Sequence, residues 1–516
     1  MGKKILIITP TSEKEMAEVK WLAPPIGVLR LVGWLNKYGH EAEYIDLNLY
    51  NVSGRGVGLE QKLKEKKWDI IGFSVLEDSL INDIENMMLA QELCPDALLI
   101  AGGIEAQFNY QTLLDKSPCK TVVLGEGEIA LTMIADGVSL EKIPGIVFRK
   151  NSEPFNNEQF WQATKNIEWE KIRYEDYWDF YVDRYKQDLT EDRLDQIHTI
   201  RIFTRNRCPR NCKFCSSTNQ LTWSSGKLGV PIIDIMADQD LVGLIERIKK
   251  AHPRLRTIYF TDDDFCISKE KVIEFCKNIV AKELDLRFIA FSRVNELDEE
   301  VLGWMARAGF KVLNIGVESF SQKVLDEMGK NYNTSIAHDT LKLIKQKGIL
   351  PFISIILITP DTGLDDIEKT IDNIMPLIKD EVVVSSIAMS CIPFKGSEFY
   401  EITFDYMTDI VNIPGTPHRI KRHYAILANN PYVREVQVRF FNEISGVIES
   451  FVKEKGVGHV TSVNQALKRL EFMKELISET RKKYNIKEGE SGDLKRGELT
   501  ASVISRNITK DRYQGI

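Results

Sequence analysis

The chain has 516 residues, 43% of them hydrophobic and 28% charged, a composition that buries large cores and predicts about three domains. Its formal net charge of −7 excludes the basic footprint of a duplex nucleic-acid binder. No run approaches the roughly 18 apolar residues of a membrane span, and eight cysteines without a regular framework predict a reducing, cytoplasmic setting.

In chain order, Lys4–Thr9 reads as a buried strand, ended by Pro10. Four more strands follow, Glu43–Leu47, Trp68–Ser74, Ala97–Ile100 and Thr121–Leu124, alternating with helices at Val28–Lys37, Gln61–Lys67, Ile81–Leu93 and after Glu128. This alternation predicts a doubly wound, Rossmann-like parallel sheet over residues 1–148, whose ligands bind at the carboxyl ends of the strands. The glycines placed there are Gly102, Gly103, Gly125 and Gly127. Glycines at strand ends let a backbone approach a bulky ligand closely, and the GxGxxG dinucleotide pattern is absent.

Residues 149–195 are rich in aromatics (Phe155, Phe160, Trp161, Trp169, Tyr174, Tyr177, Trp178, Tyr181), too apolar for a free linker. They are expected to strap neighbouring domains together. From 196 to 400 the chain alternates again, with strands at Thr199–Thr204, Thr257–Thr261, Leu286–Phe291, Val312–Val317, Phe352–Ile358 and Val382–Met389. Six βα units predict a partial (β/α)6 barrel with its chemistry at the carboxyl face.

The first barrel strand runs into Cys208-Pro209-Arg210-Asn211-Cys212-Lys213-Phe214-Cys215. Thiolates are soft ligands for zinc or iron–sulfur clusters. Structural zinc wants four protein ligands, and no second CxxC exists, so three thiolates better suit a 4Fe–4S cluster with one iron left open. Other strands end in Asp262-Asp263-Asp264, Ser292-Arg293, Glu318-Ser319 and Ile358. A second reading of Asp264 is the N-cap of the next helix. Cys266, Cys276 and Cys391 lack ligand spacing and read as buried thiols. Residues 401–485 read as mostly helical, with Ala466–Lys483 amphipathic. The basic run Pro417–His423 reads as a solvated helix face or a contact for an acidic substrate, and 486–516 as a flexible tail.

The cysteine loop, with Phe214 before its last cysteine, resembles the signature of radical S-adenosylmethionine (SAM) enzymes. Gly316–Ser319 resembles that family's ribose- and methionine-binding strand, Leu325–Lys330 fits downstream, and Pro393–Ser397 matches the turn closing the sixth strand. Pro25-x-Gly27, Gly72–Ser74, Gly102-Gly103 and Gly125–Glu128, in that order, resemble the cobalamin-binding domain preceding the radical domain in one large subclass. The resemblance implies a 4Fe–4S cluster on Cys208, Cys212 and Cys215. It implies SAM near Phe214, Asp263, Ser292, Arg293, Glu318, Ser319 and Ile358, and cobalamin on Pro25, Gly27, Ser74, Leu76, Glu77, Gly102, Gly103, Gly125, Glu126, Gly127 and Glu128. It further implies a low-potential electron donor (flavodoxin or ferredoxin) and a small-molecule or peptide substrate. The implied activity is class B C-methylation: the cluster cleaves SAM to a 5′-deoxyadenosyl radical that takes hydrogen from an unactivated carbon, and methylcobalamin supplies the methyl. An oxidative cyclase or ring-rearranging enzyme and a non-catalytic cobalamin sensor are the alternatives. The chain departs from the pattern in three places. Gly103-Ile104-Glu105-Ala106-Gln107 lacks the histidine often found there, Ile356–Pro360 lacks the usual glycines, and no DxHxxG loop exists. No histidine is therefore expected on cobalt, and Leu76 or Glu77 is expected nearest its lower face.

Overall fold

The computed structural model describes residues 2–12, 21–150, 153–156, 167–205, 208–210, 212–215, 241–403, 405–412, 419–455 and 462–487. Five N-terminal strands, β1 (Lys4–Ile8), β2 (Glu41–Ile45), β3 (Ile70–Ser74), β4 (Leu98–Gly102) and β5 (Thr121–Val123), pair in parallel in the order β2-β1-β3-β4-β5. Ile5, Leu6, Ile7 and Ile8 are all buried, as a strand covered on both faces requires. The strand order reverses between β1 and β3, which opens a crevice at their carboxyl ends. Two antiparallel strands, β6 (Ile146–Lys150) and β7 (Glu153–Asn156), extend the sheet beyond β5, an addition that the alternation pattern did not predict.

The second sheet has the six expected strands: β8 (Thr199–Ile202), β9 (Thr257–Phe260), β10 (Arg287–Ser292), β11 (Phe310–Glu318), β12 (Leu350–Ile356) and β13 (Val384–Ala388). They are parallel and lie in sequence order, an open partial barrel. Alternate residues of β10 and β12 are buried, and Phe260, Phe265, Phe275, Phe288 and Phe310 stack in the core.

The expected strap is present in its described part. Trp169, Tyr174, Tyr177, Trp178 and Tyr181 are buried. Trp21 of the first domain stacks on Tyr181 at 4.1 Å, and the Tyr177 hydroxyl donates to Asp46 at 2.6 Å. Phe160 and Trp161 lie outside the described residues.

The C-terminal helices Pro431–Lys455 and Ser462–Tyr484 pack together and against Leu364–Lys379. Before them stands an antiparallel hairpin, β14 (Tyr406–Asn412) and β15 (Arg419–Ile426). The basic run expected on a helix face therefore lies, from Arg419 to His423, on a strand; 413–418, like the tail from 488, lie outside the described residues. Among the described residues no helix is long and apolar enough to cross a membrane.

Candidate functional site

A cavity of about 460 Å³ opens at the carboxyl ends of the first sheet. Ten of the eleven residues predicted there line it: Pro25, Gly27, Ser74, Leu76, Gly102, Gly103, Gly125, Glu126, Gly127 and Glu128. Glu77 does not. It turns into a charged cluster with Glu105, Lys395, Lys421 and Arg422, where burial and then Glu105 push its carboxyl up. Of the two residues expected beneath cobalt, only Leu76 reaches the cavity.

Gly103 adopts φ +96° and ψ 178°, a region that essentially only glycine occupies. A Cβ there would meet the Val75 carbonyl oxygen at 2.8 Å. Gly27 differs, because a Cβ added to it meets nothing within 4 Å.

Among the lining residues that the sequence reading did not place here are Arg30 and Gln107. Arg30, one helical turn beyond Gly27 in the helix Ile26–Lys37, pairs with Glu126 and reaches Glu128 at 3.5 Å. Burial opposes its charge, but Glu128 and Glu126 together hold the guanidinium charged. Gln107 also lines the cavity, and its Nε2 is buried with no hydrogen-bond partner among the described residues.

A second cavity of about 410 Å³ lies between the two sheets' domains. Ile26, Gly27, Arg30, Ile104 and Glu126 form one wall; Phe203, Arg205, Thr261 and Asp262–Asp264 form the other. Arg30 lies 5.5 Å from the Phe203 ring centroid, a cation–π contact across the boundary. Gly27, Arg30, Ile104 and Glu126 line both cavities.

The three aspartates divide their work. Asp262 accepts from Thr204 N at 2.9 Å, Thr204 Oγ1 at 2.7 Å and Arg205 N at 2.7 Å, and burial pushes its carboxyl up to about 6. Asp264 accepts from Arg210 Nε at 3.4 Å, while burial and Glu296 push it up to about 8. It does not cap the next helix, because Ser268 does so, accepting from Lys271 N at 3.4 Å. Asp263 faces the interdomain cavity.

The cysteine loop is pinned on both sides of Lys213: its N–H donates to the Met328 carbonyl and its carbonyl accepts from Phe399 N, each at 3.0 Å. Cys208 and Cys212 are buried and Cys215 half-buried, and none is in a disulfide. Burial pushes the Cys212 thiol up, with Lys330 and Arg293 pulling the other way. Among the described residues no three ligand side chains already converge on one metal ion; the triad offers separate donors on one loop. Phe214 packs among Val324, Met328, Cys391 and Phe399.

Glu318 and Lys330 form a buried pair at 3.1 Å, beside the loop. Glu318 sits at φ +64°, next to a register shift in β11. Arg293 donates from Nη2 to the Lys330 carbonyl, and its Nε is buried without a hydrogen-bond partner among the described residues. The other three residues expected near SAM are Ser292, Ser319 and Ile358. Ser292 Oγ turns to the Arg293 carbonyl at 3.4 Å, and Ser319 Oγ bonds Thr370 Oγ1 at 2.9 Å. The Ile358 side chain is fully buried in the core.

Comparison with known proteins places these features. A B12 binding domain model matches residues 15–135 and a Radical SAM superfamily model matches 202–374. An uncharacterized methyltransferase of Pyrococcus horikoshii is 26% identical over 376 residues, 71% of this chain and 77% of that protein. The anaerobic magnesium-protoporphyrin IX monomethyl ester cyclase of Rubrivivax gelatinosus is 24% identical over 71% of this chain, which spans only 64% of the cyclase. The structure of the radical S-adenosylmethionine methyltransferase TsrM from Kitasatospora setae, with cobalamin and a [4Fe-4S] cluster bound, superposes with TM-score 0.62 at 14% identity, over 93% of this chain and 100% of that one. At that identity the likeness establishes a shared fold. With its B12-binding domain followed by a radical SAM domain, the chain belongs to the cobalamin-binding radical SAM enzymes.

Proposed function

We propose that this enzyme is a cobalamin-dependent C-methyltransferase acting on a small-molecule or peptide substrate, fed electrons by a low-potential donor. The observation that carries the reading is the pair of adjoining cavities. The glycine-lined cavity of the B12-binding domain shares Gly27, Arg30, Ile104 and Glu126 with the cavity that reaches the barrel mouth. The relative named as a methyltransferase supports the choice of reaction.

The residues fit the cofactors that the family implies. Cobalamin carries a rim of amide side chains, which suits the orphan Gln107 Nε2 and the acceptors Glu126 and Glu128, while the glycines leave room for the macrocycle. The thiols of Cys208, Cys212 and Cys215, in no disulfide, suit an iron–sulfur cluster. Arg293 Nε, buried and unpartnered among the described residues, suits the carboxylate of SAM, and Glu318 suits its amine or ribose. When bound, these cofactors supply electron transfer, a carbon-radical source and a transferable methyl. The protein's part is placement: the Met328 and Phe399 contacts fix the cysteine loop, Arg30 holds Glu126 and Glu128 at the cavity rim, and the interdomain cavity holds the substrate away from bulk water.

A second reading, oxidative cyclisation without methyl transfer, draws on the cyclase relative. Product analysis separates the two, since methylation yields S-adenosylhomocysteine as well as 5′-deoxyadenosine. Replacing Cys208, Cys212 and Cys215 together with Ala should abolish 5′-deoxyadenosine formation and leave cobalamin bound. Reductive cleavage of SAM by that variant would overturn the cluster assignment.

A further inference from the structure

One ion pair crosses the domain boundary close to both cofactor regions. Lys395 Nζ donates to Glu105 Oε1 at 2.7 Å, and the two side chains are only 19% and 5% exposed. Glu105 belongs to the short helix Ile104–Phe108, whose Ile104 and Gln107 line the cobalamin-domain cavity. Its backbone N–H donates to the Val75 carbonyl at 3.2 Å, which ties the helix to the end of β3. Asn109 Nδ2 holds the same carboxylate oxygen.

On the barrel side, Lys395 sits in the tight turn after β13. Ser397 closes that turn, donating from Oγ to the Phe394 carbonyl at 2.7 Å and accepting from Tyr400 N at 3.3 Å. Two residues on, Phe399 N donates to the carbonyl of Lys213, which stands between Cys212 and Cys215. The cysteine loop thus reaches the cavity wall through one backbone hydrogen bond, one rigid turn and one ion pair.

The domains are also joined at the strap, where Trp21 stacks on Tyr181 and Tyr177 holds Asp46. Between these two attachments lies the interdomain cavity of about 410 Å³, crossed by the Arg30–Phe203 contact. Domains joined by small or polar interfaces move relative to one another by default. A poorly hydrated, hydrogen-bonded ion pair has a defined length and direction, and this one shares its surroundings with Glu77, Lys421 and Arg422, the charges that face whichever half remains when the other is removed.

We propose that Lys395 and Glu105 are positioning residues: their pair sets the separation between the cluster loop and the cobalamin cavity. This rests on the proposed function, because it presupposes both cofactors. Loss of the pair leaves the strap, the Arg30–Phe203 contact and the hydrogen bond from Lys116 to the Arg419 carbonyl, about which the domains can swing.

The test uses the holoenzyme with cob(II)alamin and the reduced cluster, and reads the distance distribution between the two spins by pulsed paramagnetic resonance. Neither substrate nor turnover is needed. Lys395→Met and Glu105→Gln should each retain iron, cobalamin and substrate-free 5′-deoxyadenosine formation, yet broaden or lengthen that distribution. The exchanged pair Lys395→Glu with Glu105→Lys should restore the narrow one. Unchanged distributions in both single variants would overturn the proposal. If a single variant loses a cofactor, the exchanged pair decides: a narrow distribution supports the proposal and a broad one overturns it. Wild-type protein that binds no cobalamin or no cluster would instead overturn the parent reading.

Discussion

Gly27 offers a perturbation whose two effects have opposite signs. It is the second residue of the helix Ile26–Lys37, and a Cβ there meets nothing within 4 Å. Gly27→Ala should therefore stabilise the cofactor-free protein, by about 0.4–1 kcal/mol from reduced unfolded-state freedom. The same methyl enters space that both cavities share. A corrinoid packed on that surface would have to shift, and overpacking by a methyl costs about 1–3 kcal/mol. Cobalamin should bind roughly five-fold to somewhat over a hundred-fold more weakly. Thermal unfolding of the apo protein reads the first effect, and equilibrium dialysis followed by absorbance reads the second. Gly103→Ala is the contrast. Its Cβ would strike the Val75 backbone in a region costing about 1–3 kcal/mol for any side chain, so the apo protein itself should lose stability. Unchanged cobalamin affinity in Gly27→Ala would refute the placement of the corrinoid against this helix.

Glu318→Ala should weaken SAM binding and slow its cleavage while iron content stays near wild type, and it should cost stability, because removing one half of a buried ion pair costs about 3–5 kcal/mol; loss of iron instead would make Glu318 a structural residue. His40 lies at the amino end of β2, with Nδ1 3.3 Å from Lys3 N and Nε2 3.5 Å from Asp136, away from the cavity. The cob(II) resonance should then lack nitrogen superhyperfine splitting that depends on His40, and splitting lost in His40→Ala would reverse that assignment. Asp264 carries a carboxyl raised from 3.8 to about 8, so the folded protein holds that proton more tightly than the unfolded chain. Its contribution to stability is complete below pH 3.8 and is lost as pH rises through about 8. Asp264→Asn should flatten the decline across that window in denaturant titrations, and an unaltered slope would argue against the shift.

The strands of both sheets were legible because parallel strands buried on two faces appear as short apolar runs between helical periods. β6, β7 and the β14–β15 hairpin were not, since they break that alternation at the edges of the two main units. The cavity residues were legible for a related reason: glycines cluster where backbone must approach a ligand or another strand. Arg30 was missed because one arginine on an amphipathic helix reads as solvated, and only the fold brings Glu126 and Glu128 to it. The directions of Ser319 and Glu77 were not legible, for a reason of register. Whether Ser319 faces the barrel mouth or the core depends on the irregularity between Gly316 and Glu318, and a one-residue change of register reverses every side chain beyond it. Glu77 follows a strand end, where no periodicity fixes direction.

The run Asp262–Asp264 carries the same logic into the site. β9 ends at Phe260 and the chain bends at Asp263, so the three side chains need not share a direction. Asp262 and Asp264 both serve the chain leaving β8: Asp262 binds the N–H groups of Thr204 and Arg205, and Asp264 binds Arg210 between Cys208 and Cys212. Both are buried, whereas Asp263 is exposed to the interdomain cavity. One strand end therefore shapes the cysteine loop with two carboxylates and presents the third to the space where the domains meet. The composition of that tripeptide is uniform, but its local fold separates support of the loop from contact with whatever the cavity holds.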